Sequence, residues 1–318
     1  MKDICILFLI WFVGMSTAQA DSWPREFRNA DGSMTSIAAK PQRILSTSVT
    51  VTGTLLAIDA PVVASSTNMP GTFFEQWREL AERRQVQKLW PAGSVDLESA
   101  YVVMPDLIVV SMSGADSALD QVQAFQAIAP TIIVDYTNQS WQSLAMQLGE
   151  ATGLEIQAQR TVQSFGQWVQ RVREALVIPS GRANIISYHG PGVINAVAKA
   201  QSAHAQLLQS LGFTLEEPNP AWQAGEFAHR DFLRTHYENL TNLTAPTTFL
   251  LSANDQQAQR FLQDPILKNL PSVQHRQVYG LGENSFRIDL FSAQEIVAGI
   301  VRHFAPDKAA SLSFVLQP

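Results

Sequence analysis

The sequence predicts an α/β fold made of two units that are joined by one long helix. Short β-branched runs alternate with helical segments before residue 153 and again after residue 180, which is typical of parallel sheets covered by helices. Between the two units, apolar residues follow one face of a single long helical period. Glu98 and Glu238 stand at matching places in the two halves, each ahead of a proline and a strand, which indicates a faint internal repeat.

The first unit begins with a predicted β-hairpin around Asp31-Gly32, a pair that favours a tight turn. Strands and helices then alternate, as the periodicity of their apolar residues indicates. The predicted strands are 44–48, 62–65, 107–111 and 131–135. The predicted helices are 50–58, 73–84, 121–129 and 141–152. Ser140 is the expected N-cap of the last helix, and Gly153 is its expected end.

The long helix is predicted from Glu155 to Val177, where apolar residues step alternately by four and three positions. At about 1.5 Å per residue it would be over about 30 Å long. Pro179, Ser180 and Gly181 end it. The residues of its apolar face are Ala158, Val162, Phe165, Val169, Val172 and Leu176.

The second unit repeats the alternation, with predicted strands at 183–188, 247–252 and 277–279 and predicted helices at 203–211 and 292–304. Residues 261–270 are predicted to be partly helical. The tail, residues 305–318, consists of small and polar residues flanked by prolines, so we expect it to pack on the surface or to fray. The predicted organisation is a signal peptide at 1–20, an N-terminal lobe at 21–153, an interlobe helix at 154–179, a C-terminal lobe at 180–304 and a C-terminal extension at 305–318.

The first 20 residues have the three-part layout of a secretory signal peptide. Lys2 supplies a positive start, residues 4–13 form an unbroken apolar run, and Ala18-Gln19-Ala20 is a small-x-small cleavage site. A membrane anchor is the alternative, but the apolar run is about half of the roughly 20 residues that a spanning helix needs. We therefore expect an exported, soluble protein that begins at Asp21.

Charge and cysteine content argue against several kinds of function. The net charge is −6, so the basic surface that nucleic acid requires is not expected. Cys5 is the only cysteine and lies in the predicted signal, which leaves the mature chain without disulfides or thiolate metal sites. Among the six histidines, only His229 and His236 approach a metal-ligand spacing. Because no nucleophile elbow, zinc helix or phosphate loop is present either, we predict neither an enzyme nor a metal site.

Five stretches of the chain share the pattern of one known family, and these are Pro41 to Ser46, Leu55 to Val63, Met104 to Val109, Ile128 to Asp135 and Asp264 to Val273. They resemble the cluster III periplasmic binding proteins, which carry iron–siderophores, haem or cobalamin to ABC importers. Four others are most similar to the ferric enterobactin-binding branch of that family, and these are Ser46 to Gly53, Asp116 to Leu119, Ser140 to Leu144 and Ser285 to Asp289. The resemblance covers about Trp23 to Phe304.

The resemblance implies two Rossmann-like lobes joined by one rigid backbone helix, with a ligand cleft between the lobes. It implies a periplasmic carrier that binds a ferric siderophore, with Fe(III) entering only inside that complex and no covalently bound cofactor. A monomer is the simple expectation, because the lobes must open and close freely. The resemblance also implies that Glu98 and Glu238 dock onto the inner-membrane ABC permease. The alternative for these two residues is that they are ordinary acids near helix N-termini, where the helix dipole favours negative charge.

A ferric tris-catecholate is a compact trianion with aromatic edges, so its site needs cations and apolar walls. Arginine suits both demands, because its planar fork donates to oxygens and stacks on rings. Arg287 matches the ligand arginine of the family, and Phe286 beside it is a second predicted ligand residue. A surface salt bridge with Glu283 or Asp289 is the alternative for Arg287. The other candidates lie near the ends of predicted strands, where α/β sheets bind ligands. Lys199 is included because it follows Ala198, which stands where the family branch has a tryptophan. The candidates are Ser48, Ser113, Gly114, Tyr188, His189, Lys199, His229 and Arg230.

The chain departs from the enterobactin-binding branch at two places. Residues 66–72 are shortened and hold no arginine where that branch carries one. Ala198 stands where the branch has a pocket tryptophan, with Lys199 beside it. A related catecholate, or a linear or hydrolysed form of it, would fit a less crowded pocket. The same fold carrying haem, cobalamin or a hydroxamate siderophore stays open, and a periplasmic esterase is a further alternative.

Overall fold

The computed structural model describes residues 23–225 and 231–315. The predicted signal peptide therefore lies outside the described residues. The described chain begins with an antiparallel hairpin of β1 (Arg25–Arg28) and β2 (Met34–Ile37), as Asp31-Gly32 predicted. No helix within the two described ranges has the length and apolar content to cross a membrane.

The N-terminal lobe is built on a parallel five-stranded sheet in the order β5-β4-β3-β6-β7. Its strands are β3 (Ile44–Ser46), β4 (Val62–Thr67), β5 (Gln87–Pro91), β6 (Leu107–Ser111) and β7 (Thr131–Val134). Its helices are α1 (Val49–Ala57), α2 (Glu75–Arg83), α3 (Leu97–Val102), α4 (Val122–Gln126) and α5 (Trp141–Thr152). Every residue of β3, β6 and β7 is buried, because helices cover both faces of a parallel sheet.

The long helix, α6 (Glu155–Ala175), has 21 residues. Gly153 ends α5 in the left-handed conformation, with φ of 67°, so α6 starts almost at once in a new direction. The predicted apolar face is buried, including Ala158, Phe165 and Val172. The helix packs on α5 of the N-terminal lobe and on helices that follow it in the chain.

The C-terminal lobe has a mixed sheet in the order β11-β9-β8-β12-β13, with β10 also paired to β8. Its strands are β8 (Arg182–Ser187), β9 (Ile194–Ala198), β10 (Thr214–Leu215), β11 (Phe232–His236), β12 (Thr247–Leu250) and β13 (Val278–Gly280). Its helices are α7 (Ala203–Ser210), α8 (Asp255–Leu262), α9 (Pro271–Gln274) and α10 (Leu290–Phe304). The strands β9 and β11 run antiparallel to their neighbours.

Several parts of this lobe differ from the prediction, among them β9, β10 and β11, which were not predicted. Residues 261–270, predicted as partly helical, belong to α8 only at Phe261 and Leu262. This helix begins earlier, at Asp255, where Asn254 and Gln257 form a reciprocal capping box. Glu216, in the loop that follows β10, is 7 % exposed. Its carboxylate accepts hydrogen bonds from Thr244, Ala245 and Asn184, which compensates for its burial.

The last helix and the tail return to the other parts of the molecule. Helix α10 packs on α1, α2 and α6, and it therefore ties the C-terminal lobe to the N-terminal one. Trp168 Nε1 donates to the Leu312 carbonyl over 2.6 Å. The Phe314 ring lies 5.0 Å from the Trp168 ring, so the described part of the tail packs on α6.

Candidate functional site

The two lobes face each other across a cavity of about 680 Å³. It lies beyond the carboxyl ends of β6, β7 and β8, where α/β sheets bind ligands. The N-terminal lobe contributes residues 113–115 and 136–138. The C-terminal lobe contributes Ser187, His189, Ile194, Asn195, Ala196, Asp231, Phe232, Arg234, Phe286 and Arg287. Of the predicted ligand residues, the structure thus brings Ser113, Gly114, His189, Phe286 and Arg287 together.

Arg287 spans the gap between two aromatic rings. Its guanidinium carbon lies 4.7 Å from the centre of the Phe286 ring and 5.8 Å from that of Tyr136 in the opposite lobe. Glu283 instead accepts from Asn254, and Asp289 accepts from Gln76 and the Ser292 backbone. The guanidinium forms no ion pair with residues 23–225 or 231–315. The salt-bridge alternative for Arg287 is therefore not what the structure shows.

A second arginine, Arg234, also lines the cavity. It is exposed on β11, where Phe232, Arg234 and His236 alternate with the buried Leu233 and Thr235. Within the described part of the chain its side chain has no ion pair. The sequence reasoning missed this residue because it did not predict β11, although the alternation of polar and apolar residues was the available signal.

The N-terminal wall depends on Asp116, which is 6 % exposed. Its carboxylate accepts from Tyr136 OH at 2.8 Å, from Ser48 Oγ at 2.7 Å and from the Thr50 backbone at 2.9 Å. Burial, reinforced by the charge of Asp116, raises the pKa of the Tyr136 phenol well above its usual value. Tyr136 therefore stays protonated and presents a neutral ring to Arg287. Ser48 is fully buried as the N-cap of α1 and is not among the cavity residues.

Gly114 makes room for this tyrosine. Its φ is 96°, and a Cβ at this position would lie 1.8 Å from Tyr136 Oη. Next to it, Ser113 Oγ donates to Asp135 at 2.8 Å. Burial of Asp135 opposes its ionisation, but the hydrogen bonds from Thr137, Asn138 and Ser113 outweigh burial and lower the pKa of that carboxyl.

In the C-terminal lobe, the predicted residues have different surroundings. The His189 ring is 3.1 Å from Ser187 Oγ, and its backbone N–H donates to Asn195. Tyr188 points away from the cavity toward Asp264, to which its hydroxyl donates at 2.5 Å. Burial and this hydrogen bond raise the pKa of the Tyr188 phenol. Lys199 is half-buried at the end of β9 and is not among the cavity residues.

His229 and Arg230 lie outside the described residues. The predicted docking residues are both exposed: Glu98 in the first turn of α3, and Glu238 in the first turn of a 3₁₀ helix over Tyr237–Asn242. Neither carboxylate forms an ion pair with a described residue. Over the described ranges, the histidine and carboxylate side chains form no cluster of three or more that could hold a metal ion.

Comparison with known proteins identifies the family. The model of the family described as periplasmic binding protein matches residues 44–285. This chain belongs to the periplasmic binding protein family. It is 37 % identical, over 93 % of its length and 96 % of the relative, to the ferric enterobactin-binding periplasmic protein FepB of Escherichia coli strain CFT073.

Solved structures agree with that assignment. The protein in the crystal structure of holo-ViuP has 70 % sequence identity to this chain. The two structures superpose with a TM-score of 0.89 over 94 % of this chain and 100 % of that one. The catecholate-siderophore binding protein VctP of Vibrio cholerae, at 16 % identity, shares the fold with a TM-score of 0.64 over 86 % of this chain and 96 % of that one. The predicted α/β fold and the predicted family are therefore confirmed. The relatives are binding proteins rather than enzymes.

Proposed function

We propose that this protein binds a ferric catecholate siderophore in the cleft between its lobes and delivers it to an inner-membrane ABC permease. Its export to the periplasm by a cleaved signal peptide is part of this proposal. The Fe(III) ion belongs to the cargo, and the protein binds the complex through its organic ligands. The lobe boundaries at residues 153, 179 and 304 remain a prediction.

The observation that carries the proposal is the position of Arg287. A guanidinium held between two aromatic rings, without a carboxylate partner among the described residues, suits an anionic ligand with aromatic edges. Arg234 adds a second cation to the cavity. A neutral ferric hydroxamate would not require this concentration of positive charge in a protein whose net charge is −6.

The relatives support the same cargo. FepB, at 37 % identity over nearly the whole chain, is a ferric enterobactin-binding periplasmic protein by name. Residues 66–72 lack the arginine, and Ala198 replaces the tryptophan, that the resemblance to that branch leads us to expect, so we propose a catecholate without restricting it to enterobactin. A volume of about 680 Å³ falls within the usual range for small-molecule sites.

The test is a titration of the mature protein with ferric complexes while tryptophan fluorescence is followed. We expect quenching by ferric catecholates at sub-micromolar concentration and much weaker quenching by a neutral ferric hydroxamate. Arg287→Ala should weaken catecholate binding by more than about tenfold, the scale of a lost charge-assisted contact. Arg171→Ala, an exposed arginine on α6, is the matched control and should bind normally. Wild-type affinity in Arg287→Ala, or a preference for the hydroxamate, would contradict the proposal.

A further inference from the structure

A buried histidine contacts the segment that carries Phe286 and Arg287. His204 lies in α7, is 5 % exposed and places Nε2 2.7 Å from the Ser285 carbonyl oxygen. Its ring also meets the edge of Phe232, with the ring centres 5.5 Å apart. The sequence reasoning did not select this residue as a candidate.

The contact with the Ser285 carbonyl determines which nitrogen of the His204 imidazole carries the hydrogen. A carbonyl oxygen only accepts, so Nε2 must carry the hydrogen. Burial lowers the pKa of His204 to about 4, and the nearby positive charge of Arg287 acts in the same direction. His204 is therefore a neutral hydrogen-bond donor at neutral pH.

Other hydrogen bonds hold the remainder of this segment, residues 281–289. Ser285 Oγ accepts from the Ser252 backbone at 2.9 Å, and Ser292 Oγ donates to the Arg287 carbonyl at 2.6 Å. The backbone on both sides of Phe286 is thus fixed, while the Phe286 ring itself is 48 % exposed. A ligand-binding side chain whose backbone is fixed on both sides loses less conformational entropy when the ligand binds.

We propose that His204 is a positioning residue for the ligand cleft: its Nε2–H holds the Ser285 carbonyl and thereby sets where Phe286 and Arg287 meet an anionic chelate. This inference rests on the proposed function, because Arg287 is the group through which His204 acts. His204 also lines a small chamber of about 80 Å³ beside Arg287, together with Thr50, Thr54 and Ser140. The histidine thus lies behind the guanidinium rather than at the mouth of the cleft.

The experiment is a double-mutant cycle between His204 and Arg287, read as the affinity for a ferric tris-catecholate complex. His204→Leu removes the donor, and we expect affinity to fall about tenfold, the scale of one well-formed hydrogen bond. His204→Gln can place an amide N–H near the position of Nε2, and we expect it to stay within roughly threefold of wild type. In the Arg287→Ala background, His204→Leu should have little further effect, because the two changes act through one contact.

His303→Leu is the matched control. His303 is a partly buried histidine of the C-terminal lobe; its ring packs at a tilt against Tyr279, with ring centres 4.8 Å apart, and its Nε2 lies 3.3 Å from an Asp255 carboxylate oxygen. We expect it to lower thermal stability without changing affinity. An equal loss of affinity from His204→Leu with and without Arg287 would show a general effect on folding and overturn the proposal, as would wild-type affinity in folded His204→Leu.

A second measurement does not depend on the ligand. Hydrogen exchange of the amides in residues 281–289 should accelerate at least about tenfold in His204→Leu and stay unchanged in His303→Leu. If His204→Leu fails to fold, His204→Asn replaces it, since its side chain is polar but too short to reach Ser285. Unchanged exchange in the folded variant would overturn the positioning role. Absence of catecholate binding by the wild-type protein would instead refute the proposed function.

Discussion

Two buried ionisable side chains support residues 281–289: His204 contacts the Ser285 carbonyl in the middle of the segment, and Asp289 is its last residue. The environment shifts their pKa values in opposite directions. Burial lowers the pKa of His204 to about 4, and burial raises the pKa of Asp289 to about 6. Asp289 is the N-cap of α10 and also accepts from Gln76 of the N-terminal lobe. Both groups are therefore neutral at about pH 5, in the middle of the interval between their pKa values.

We predict that their effects on the pH dependence of stability largely cancel. His204 contributes stability that is present above its unfolded pKa of 6.5 and is lost as the pH falls toward 4, about 3 kcal/mol in all. Asp289 has a raised pKa, so its contribution is present below 3.8 and is lost as the pH rises through 6, again about 3 kcal/mol.

Single substitutions of Asp289 and His204 should reveal how each residue changes the free energy of unfolding with pH. Urea unfolding at pH 4.5 and pH 6.5 should show that Asp289→Asn loses more stability on acidification than wild type, because the His204 effect is then unopposed. His204→Leu should instead gain stability on acidification relative to wild type. The same pH dependence in both variants and in wild type would contradict the assigned shifts.

Gly114 leads to a second prediction at the scale of one residue. In Gly114→Ala the new Cβ would clash with Tyr136 Oη, so the ring that faces Arg287 must move. We expect the free energy of unfolding to fall by about 2 kcal/mol and the ferric catecholate affinity to fall as well. Gly93→Ala is the control, because Gly93 has a similar φ of 81° but open space around it. Loss of affinity in both variants would mean that backbone strain, not Tyr136, is responsible.

At the scale of elements, helices with a strong apolar periodicity were predictable from the sequence, and strands of low strand propensity were not. The apolar face of α6 and the caps Ser140 and Gly153 led to correct bounds within about two residues. The strand β9, with the sequence Ile-Asn-Ala-Val-Ala, was missed because alanine and asparagine have low strand propensity. The helix α8 was misplaced because its apolar residues gather near its C-terminal end, although the capping box of Asn254 and Gln257 was present in the sequence.

The candidate site was predictable only in part, because contacts between distant parts of the chain bring its residues together. Arg287 and Phe286 were selected by resemblance, whereas Arg234 belongs to a strand that was not predicted. Tyr136 lies far from Arg287 in the chain, and only the packing of the two lobes brings them within 5.8 Å. Such long-range contacts leave no local pattern in the sequence.

The packing of the tail on α6 predicts a stability effect without a binding effect. Phe314 is half-buried against Trp168 and Phe165, so Phe314→Ala should lower the free energy of unfolding by about 1–2 kcal/mol. Val315→Ala is the control, since Val315 is 71 % exposed and should change little. Ligand affinity should be unchanged in both. Thermal unfolding and the fluorescence titration measure the two quantities, and equal stability of the two variants would contradict the packing role.

For the whole molecule, the proposed delivery to a permease requires a docking surface outside the ligand cleft. Glu98 and Glu238 are exposed on different lobes, each near the start of a short helical segment. Neither is used in an ion pair with a described residue, and neither lines the cavity. Charge outside the ligand cleft can steer association without altering ligand affinity.

We therefore predict that the double variant Glu98→Lys, Glu238→Lys binds ferric catecholate normally but fails in delivery. In cells that depend on this carrier for iron, uptake of the radiolabelled ferric complex should fall by about tenfold or more, since charge reversal turns attraction to a cationic permease surface into repulsion. Asp120→Lys with Asp307→Lys is the matched control, because both acids are exposed and the change in net charge is the same. Reduced uptake in the control would reveal a net-charge effect, whereas normal uptake in the glutamate variant would exclude these two residues from docking.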